Sequence, residues 1–429
     1  MPKQSFLSLI VWKQRLVFWL GAIFVGLLIV AMTLLSEWAA QTYRILSQHY
    51  SWFRFVAPPF GLGFTAWMTF RFFPGSERSG IPQVKTALEI AGNLEARNQL
   101  ISLRIALGKL LLPIMGLISG ASVGFGGPAV HIGASIMLSL GRAVKFPPHY
   151  MEKGLIIAGS AAGFAAMFST PLAGIVFAVE EMGRTLEERI SSLVLTAIVF
   201  SGVTAYALLN SYIYFEDESL RMPWGQHWLA IPVCGIAGGF LGGLFSKITI
   251  VGGRLLKRSG LPFVVIAIAC GGVIAALNFL SDGATVGTGY QQTKAILNST
   301  APLGISFPFL KMLATCATFF SGIPSGIFVP SIATGAGLGI DLAHWLPIAP
   351  ASVMILLTMT AYFSGMLQSP LTSFVIVMEM TNSHEILIPL MATAFFATGT
   401  SKIMNPVPLY LALCDAYSTL GTSHNSVKN

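Results

Sequence analysis

The stretch FSTPLAGIVFAVE at residues 168–180 resembles the stretch LQSPLTSFVIVME at residues 367–379. In each stretch a proline, Pro171 or Pro370, follows polar residues and precedes an apolar run that ends in glutamate. The two prolines are 199 residues apart in a chain of 429 residues. Similarity over such a distance indicates that the chain is a duplication of one unit.

A second pair of prolines supports the duplication. Pro128 and Pro330 are 202 residues apart, and a glycine follows each of them five positions later. We therefore predict two repeats, at residues 17–210 and 228–415. The remaining segments are predicted to be an N-terminal segment at 1–16, a linker at 211–227 and a tail at 416–429.

The composition predicts that this duplicated unit lies in a lipid bilayer. Hydrophobic residues make up 54% of the chain and charged residues 10%, whereas a soluble domain has roughly 25% charged residues. Several continuous apolar runs approach the roughly 20 residues that an upright transmembrane helix needs. They cover residues 17–35, 59–73, 109–123, 190–209, 228–245, 262–280, 353–360 and beyond, and 386–400. Continuous rather than alternating runs favour helices, so the predicted fold class is an all-α polytopic membrane protein.

The charge distribution predicts an orientation in the membrane. The net charge of +8 fits cytoplasmic loops that are rich in lysine and arginine, and it does not require nucleic acid as a partner. Basic residues around Lys257 and Arg258 are expected in the cytoplasm, and the acidic cluster at 216–218 is expected outside. Both termini are then predicted to be cytoplasmic, with the linker at 211–227 outside.

Three segments place glycine shortly before proline: RSGIP at 78–82, GFGGP at 124–128 and GIFVP at 326–330. Proline suits the first turn of a helix. The free N–H groups and the positive dipole end at a helix start bind anions without a formal charge. One helix end contributes only about 0.3 to 2 kcal/mol, and dehydrating an ion costs far more. Several helix starts must therefore converge on one site.

Two hydroxyl groups are candidates to complete such a site, those of Ser79 and Tyr410. Hydroxyls and dipoles bind an ion weakly enough to release it, which a transport pathway requires. The alternative for Ser79 is an ordinary helix cap, and the alternative for Tyr410 is an anchor at the membrane surface. Lys109 either supplies a positive field or extends to the membrane surface.

These motifs resemble those of the CLC family of chloride channels and chloride/proton antiporters. The resemblance covers about residues 17–415 in matching order. It is carried by SGIP at 79–82, the G-x-x-G-P pattern at 124–128, the PLAG…EEM block at 171–182, GIFVP at 326–330 and Tyr410. It implies a CLC-type inverted repeat of broken and tilted helices, a homodimer with one anion pathway per subunit, and a location in a bacterial inner membrane.

Position by position, the resemblance makes Ser79 and Tyr410 the hydroxyl ligands of a central anion, with Gly80 at the same helix start. It makes Ile327 and Phe328 the backbone amide donors. Serine at position 79 is the version that the family associates with chloride rather than nitrate. The fluoride-exporting branch departs from Ser-Gly-Ile-Pro, so chloride or a similar small anion is the expected ligand.

The second glycine motif departs from the family pattern. The family usually has Gly-Lys/Arg-Glu-Gly-Pro, whose glutamate is an anion-mimicking gate and, in antiporters, the outer proton carrier. Here Phe125 and Gly126 replace the basic residue and the glutamate, and Gly127 follows. Glycine carries neither charge nor proton. We therefore predict chloride-selective, passive transport without stoichiometric proton coupling.

The main alternative is a chloride/proton antiporter with a substitute proton carrier. Glu181 corresponds to the inner proton-transfer glutamate of the family, and His131 is the titratable side chain nearest to Gly126. A different interpretation places Glu180 in an exposed pair with Arg184, with Glu181 beside it. In the same interpretation His131 is a hydrogen-bonded packing residue.

A remote alternative is an intramembrane serine hydrolase, because GASVG at 120–124 matches G-x-S-x-G. That motif needs a strand-to-helix elbow with a histidine and an acid, whereas here it lies at an apolar, glycine-rich helix end. The sequence has no HExxH motif and no phosphate loop, and its four cysteines lack metal or redox spacing. We expect no metal, no cofactor and no enzyme activity.

Overall fold

A computed structural model describes residues 9–90, 94–144, 150–183, 192–209, 222–298 and 304–417. The acidic cluster at 216–218, Arg184, most of the predicted linker and most of the predicted tail lie outside these ranges. Within them the regular structure is helical, apart from one isolated backbone bridge between Gly124 and Gly326. The predicted all-α fold is confirmed.

The helices of the first half are α1 Leu9–His49, α2 Phe53–Phe72, α3 Ile81–Glu89, α4 Leu94–Leu100, α5 Leu103–Ile118, α6 Gly126–Ala143, α7 Tyr150–Phe168, α8 Pro171–Phe177 and α9 Ser192–Leu209. A π-helical turn, Ala178–Met182, follows α8 directly. Helix α1 begins at Leu9, whereas the sequence predicts a start at residue 17. The apolar residues from position 9 onward extend the helix.

The helices of the second half are α10 Ala230–Arg258, α11 Phe263–Leu280, α12 Tyr290–Leu297, α13 Phe307–Phe320, α14 Phe328–Trp345, α15 Ala351–Leu367, α16 Pro370–Thr381, α17 Leu387–Met404 and α18 Leu409–Cys414. By their motifs and order, α12 to α17 correspond to α3 and to α5 to α9. Helix α18 carries Tyr410.

Lipid-facing surfaces are visible on the long helices. Among the described residues, five helical segments are long and apolar enough to cross a membrane: Arg15–His49, Glu95–Ile118, Gln226–Arg258, Phe263–Leu280 and His384–Met404. Large hydrophobic side chains such as Phe60 and Leu280 are 67% exposed, as expected where lipid is the solvent. Helices α3 and α8 have only 9 and 7 residues, so they enter the membrane domain without crossing it.

The two halves meet about a local two-fold axis. Gly124 and Gly326 occupy equivalent positions, two residues before α6 and α14, and they exchange both backbone hydrogen bonds, at 2.9 and 2.7 Å, in an antiparallel bridge. The residues that precede the two helices have the same backbone conformation, with φ −116° at Phe125 and −115° at Ile327. Equivalent residues that pair with each other in antiparallel fashion identify an inverted repeat.

Two glutamates hold the halves together by capping each other's helices. The Glu180 carboxylate accepts hydrogen bonds from the backbone N–H groups of Leu371 and Thr372 at the start of α16, at 3.0 and 2.6 Å. The Glu379 carboxylate accepts equivalent bonds at the start of α8. Free N–H groups at the positive end of a helix thus satisfy the Glu180 carboxylate inside the membrane domain, and its predicted partner Arg184 lies outside the described residues.

Candidate anion site

The start of α3 is shaped by a glycine in the left-handed conformation. Gly80 has φ +96° and precedes the first residue of α3. A Cβ atom at this position would lie 2.9 Å from the Cβ atom of His131 and 3.0 Å from the Cε atom of Lys109. Glycine is therefore required both by the backbone conformation and by the close packing, and it fixes the position of the neighbouring Ser79.

Lys109 braces the loop that carries Ser79. Its side chain is fully buried, and its ammonium group donates to the carbonyl oxygens of Ser76, Glu77 and Arg78 at 2.9, 3.2 and 3.1 Å. The expectation that Lys109 extends to the membrane surface is wrong, because three carbonyl groups satisfy its charge in the interior. Lys109 thereby holds these carbonyl oxygens in place just ahead of Ser79.

The hydroxyl groups of Ser79 and Tyr410 lie together at the centre of the molecule. Each residue is only 1% exposed. The two hydroxyls are neighbours, yet neither has a hydrogen-bond partner among the described residues. Buried hydroxyls without partners are uncommon in folded proteins, and an anion between them would accept a hydrogen bond from both.

Two helix starts lie beside these hydroxyls. A Cβ atom on Gly127, in the first turn of α6, would lie 2.0 Å from the Ser79 Oγ atom. The Phe328 ring, at the start of α14, lies 5.9 Å from the Tyr410 ring. The first N–H groups of a helix have no partner within the helix. The structure thus brings together the predicted Ser79, Gly80, Gly127, Phe328 and Tyr410.

The Phe328 ring also packs directly against Gly126. A Cβ atom at position 126 would lie 2.5 Å from the Phe328 Cδ2 atom. The ring makes edge contacts with Phe164 and Phe363, with centroids 5.8 and 5.1 Å away. Sequence reasoning missed Phe164 and Phe363, because both lie inside uniformly apolar runs with no distinguishing pattern.

Glu181 lies in a buried polar cluster near Tyr410. Its carboxylate accepts a hydrogen bond from the Lys85 ammonium group at 2.6 Å and another from the Ser369 hydroxyl. Its side chain is 5% exposed, and it lies near the Tyr410 phenol. Lys85 and Ser369 were not predicted. The only signal for Lys85 in the sequence is its position on α3, the short helix that follows Ser79.

His131 is a buried, hydrogen-bonded residue of α6. It is fully buried, its Nε2 atom lies 2.8 Å from the Leu100 carbonyl oxygen, and its Nδ1 atom lies 3.3 Å from the Ser135 Oγ atom. Both ring nitrogens are therefore engaged by α4 and by its own helix. His131 contributes to the site through its Cβ atom, which packs against Gly80.

The serine of the G-x-S-x-G match has two threonine partners. The Ser122 Oγ atom lies 3.0 Å from the Thr315 Oγ1 atom, and the Ser122 N–H group donates to the Thr318 Oγ1 atom at 3.1 Å. Across the described ranges, no group of three histidine, cysteine, aspartate or glutamate residues is placed to hold a metal ion. This geometry gives the hydrolase interpretation no support.

Two inverted halves, with helix starts and hydroxyl groups gathered at one buried point of a membrane domain, define the class as an anion-transport protein. The chain belongs to the voltage gated chloride channel family, whose family model matches residues 61–402. This confirms the resemblance to CLC proteins.

Curated relatives match most of the chain. It is 29% identical over 361 residues to the H(+)/Cl(-) exchange transporter ClcA of Yersinia pestis, and the alignment covers 80% of this chain and 73% of that protein. The ClcA protein of Vibrio vulnificus is 28% identical over 384 residues, covering 84% of this chain and 76% of that protein.

Solved structures share the fold. A slow cyanobacterial Cl-/H+ antiporter superimposes with a TM-score of 0.79 at 24% identity, covering 95% of this chain and 99% of that chain. A CLC-type fluoride/proton antiporter superimposes with a TM-score of 0.74 at 21% identity, covering 96% and 99%. The predicted CLC-type inverted repeat is thereby confirmed.

Proposed function

We propose that this protein carries chloride across a membrane. The ion binds between the Ser79 and Tyr410 hydroxyls and the first turns of α6 and α14, where the Ile327 and Phe328 amides are the donors from α14. The observation that carries this proposal is the pair of neighbouring, buried hydroxyls without hydrogen-bond partners. Both hydroxyls can donate a hydrogen bond to chloride. The relatives are also named for chloride exchange.

Chloride/proton exchange is the mode of transport that the relatives favour. Their names give this alternative more support than passive transport. Glu181 supplies one part of a proton path, since it is buried between Lys85 and Ser369 and lies near Tyr410. Both ring nitrogens of His131 are engaged elsewhere. Water is therefore the carrier that we assign to the stretch between Glu181 and the Gly126 side.

Passive transport is the second candidate, and it rests on Gly126. A proton carrier must change its charge, and glycine has no side chain that does so. The neighbouring Gly127 likewise lacks one, and the ring beside Gly126 belongs to Phe328, which does not titrate. On this reading the path from Glu181 has no titratable end at the Gly126 side.

Purified protein in liposomes, with chloride release and internal pH recorded together, separates the two modes. Exchange predicts that a chloride gradient drives protons against their own gradient, and that Glu181→Gln abolishes this proton movement while chloride still flows. Passive transport predicts chloride release without proton pumping, and no effect of Glu181→Gln on the ratio. Protein that moves neither ion would overturn the proposed function.

The ion site itself is tested by chloride titration calorimetry. Ser79→Ala and Tyr410→Phe should each weaken chloride binding by about ten- to a hundred-fold, because a hydrogen bond to a charged ligand contributes about 1.5 to 3 kcal/mol. Ser122→Ala is the matched control, since its hydroxyl bonds to Thr315. Unchanged affinity in both site variants would contradict the assigned position of the ion.

The assembly and orientation follow from the family resemblance. We propose a homodimer with one anion pathway per subunit, in a bacterial inner membrane, with both termini in the cytoplasm. Light scattering of the detergent-solubilised protein should give twice the mass of the 429-residue chain. A monomeric mass that persists in lipid nanodiscs would contradict the dimer.

A further inference from the structure

A cavity of about 570 Å³ lies at one surface end of the membrane domain, and none of the residues that line it belongs to the candidate anion site. It lies between the last turns of α1 and α11 and the starts of α2 and α13. Helices α1 and α11 belong to segments that are long and apolar enough to cross a membrane, so their ends lie at a membrane surface. Sites for small molecules have volumes of roughly 300 to 1,000 Å³. The cavity therefore has room for a molecular ligand and not only for an ion.

Two arginines line the cavity, Arg44 on α1 and Arg54 on α2. Arg44 is half-buried, and none of the ion pairs among the described residues includes it. Arg54 donates to the Ser47 carbonyl oxygen at 2.9 Å, and it lies 3.4 Å from the Asp282 carboxylate, which is 93% exposed. Such a solvated pair is weak, and Asp282 is the only carboxylate among the described residues that line the cavity. The two guanidinium groups thus favour an anionic ligand.

Gln292, on α12, adds a buried polar group to the wall of the cavity. The residue is 8% exposed, and its Oε1 atom has no hydrogen-bond partner among the described residues. A buried acceptor without a partner is uncommon in folded proteins, and an amide oxygen can only accept hydrogen bonds. A ligand that completes this wall therefore carries a hydroxyl or ammonium donor in addition to its negative charge.

Large apolar side chains surround the two arginines. Leu280 lines the cavity and is 67% exposed. The neighbouring Phe279 is 59% exposed, and its ring centroid lies 5.6 Å from that of Phe55, which follows Arg54 and is 50% exposed. Exposed rings at the end of a membrane helix are typical of the level of the lipid headgroups. Basic pockets between membrane helices at that level bind acidic headgroups.

We propose that this cavity binds the headgroup of an anionic phospholipid. The phosphate binds to Arg44 and Arg54, whose forked donors match phosphate oxygens, and a headgroup hydroxyl donates to Gln292. The acyl chains extend over the exposed rings of Phe55 and Phe279. This site is additional to the proposed function and does not depend on it.

The wall of the cavity is joined to the segment that leads into α6. Asn278, a lining residue, donates through Nδ2 to the Gly120 carbonyl oxygen at 3.1 Å. The Gly287 N–H group, next to the lining residue Val286, donates to the Ala121 carbonyl oxygen at 3.1 Å. A ligand that binds only the folded protein stabilises it. Occupancy of the cavity should therefore raise the temperature of thermal unfolding.

Native mass spectrometry of the delipidated protein in neutral detergent tests the phosphate site, with dioctanoyl phosphatidylglycerol as the probe. The parent should bind this lipid at least ten-fold more tightly than dioctanoylglycerol, which lacks the phosphate. Arg44→Gln combined with Arg54→Gln should weaken binding by at least ten-fold, because each arginine supplies charged hydrogen bonds. Arg71→Gln is the matched control, since Arg71 lies in the last turn of the same helix as Arg54, and its affinity should stay within about two-fold of the parent. Equal affinity in the parent and the double variant overturns the proposal.

The role of Gln292 is tested by two lipids on one protein, so the result does not depend on the stability of a variant. Phosphatidylmethanol has the same phosphate as phosphatidylglycerol and lacks the hydroxyl donors. The parent should prefer phosphatidylglycerol by about three- to ten-fold, the contribution of one neutral hydrogen bond. Gln292→Leu should lose this preference. A parent without the preference, or a Gln292→Leu protein that retains it, overturns the contact between the headgroup and Gln292.

Glycerol phosphate, which has the headgroup without acyl chains, identifies the source of the phosphate. Binding at least ten-fold weaker than that of the lipid supports a phospholipid. Equal affinity for both would overturn the lipid assignment and give the cavity to a free phosphate ester. Chloride release from phosphatidylcholine liposomes, which contain no anionic lipid, tests the proposed function separately.

Discussion

The two halves of the molecule share a backbone plan and differ in the side chains that the plan brings to the centre. Gly80 and Gly289 precede α3 and α12 with φ values of +96° and +93°. Lys109 and Lys311 are both fully buried, and each donates to carbonyl groups of the loop ahead of that glycine. The same residue types thus perform the same structural task twice.

The differences lie where the two halves face each other. At offset 202 the first half has Gly126 and His131, and the second half has Phe328 and Ala333. The glycine of one half makes room for the ring of the other. The histidine packs against Gly80 in the way that Ala333 packs against Gly289. Repetition therefore builds the scaffold, and departures from repetition build the site.

The largest expected effect comes from breaking the shared scaffold at the two lysines. Lys109→Met and Lys311→Met each remove the side-chain donor to two or three buried carbonyl groups and should lower the free energy of unfolding by about 3 kcal/mol or more. Thermal unfolding in detergent measures this loss. Only Lys109→Met should also weaken chloride binding, because its loop carries Ser79. Equal chloride affinity in the two variants would show that the two loops do not differ in function.

A smaller effect is expected where the halves differ. Gly126→Glu forces a side chain into the room of the Phe328 ring and should cost about 1 to 3 kcal/mol through overpacking. In the Phe328→Ala background the same Gly126→Glu substitution should lower the free energy of unfolding by less, because the ring is gone. Chloride release by Gly126→Glu should also become pH-dependent, because a carboxylate now titrates in the pathway. Thermal unfolding and liposome release at several pH values measure both effects.

The control for this pair is Gly127→Glu, which meets the Ser79 Oγ atom rather than the ring. Gly127→Glu should lower the free energy of unfolding by the same amount with and without Phe328→Ala. If Phe328→Ala reduced the loss of stability in both glycine variants, the specific contact between Gly126 and Phe328 would be contradicted.

Sequence alone predicts the parts of this site that depend on local chemistry. The glycine and proline motifs place the starts of α3, α6 and α14 correctly, and the resemblance to CLC proteins assigns Ser79, Phe328 and Tyr410 to one anion site. What the sequence does not predict is contact across the two-fold axis. The N–H groups that bind Glu180 lie more than 190 positions away in the sequence, and helical spacing does not indicate them.

The buried partners of Lys109 are hidden from sequence for a related reason. A lysine in an apolar run is expected to extend to the membrane surface, and only the fold shows that three carbonyl groups converge on it. The contact between Gly126 and Phe328 is likewise a matter of packing between residues 202 positions apart. Neither the glycine nor the phenylalanine indicates such a contact in the sequence.

The smallest effect is expected at the reciprocal caps, where the two halves are most alike. Glu180→Gln and Glu379→Gln each retain one acceptor oxygen and lose the charge that faces a helix start, so each should lower the free energy of unfolding by about 1 kcal/mol. The two losses should be equal within error, because each carboxylate accepts two backbone bonds of 2.6 to 3.0 Å at the other half's helix. Asp282→Asn is the control, since that carboxylate is 93% exposed and lies 3.4 Å from Arg54, a surface pair that contributes little. If Glu180→Gln lowered the free energy of unfolding several times more than Glu379→Gln, the Glu180 cap would do more than stabilise the contact between the two halves. The adjacent Glu181 would then be the residue whose position depends on it.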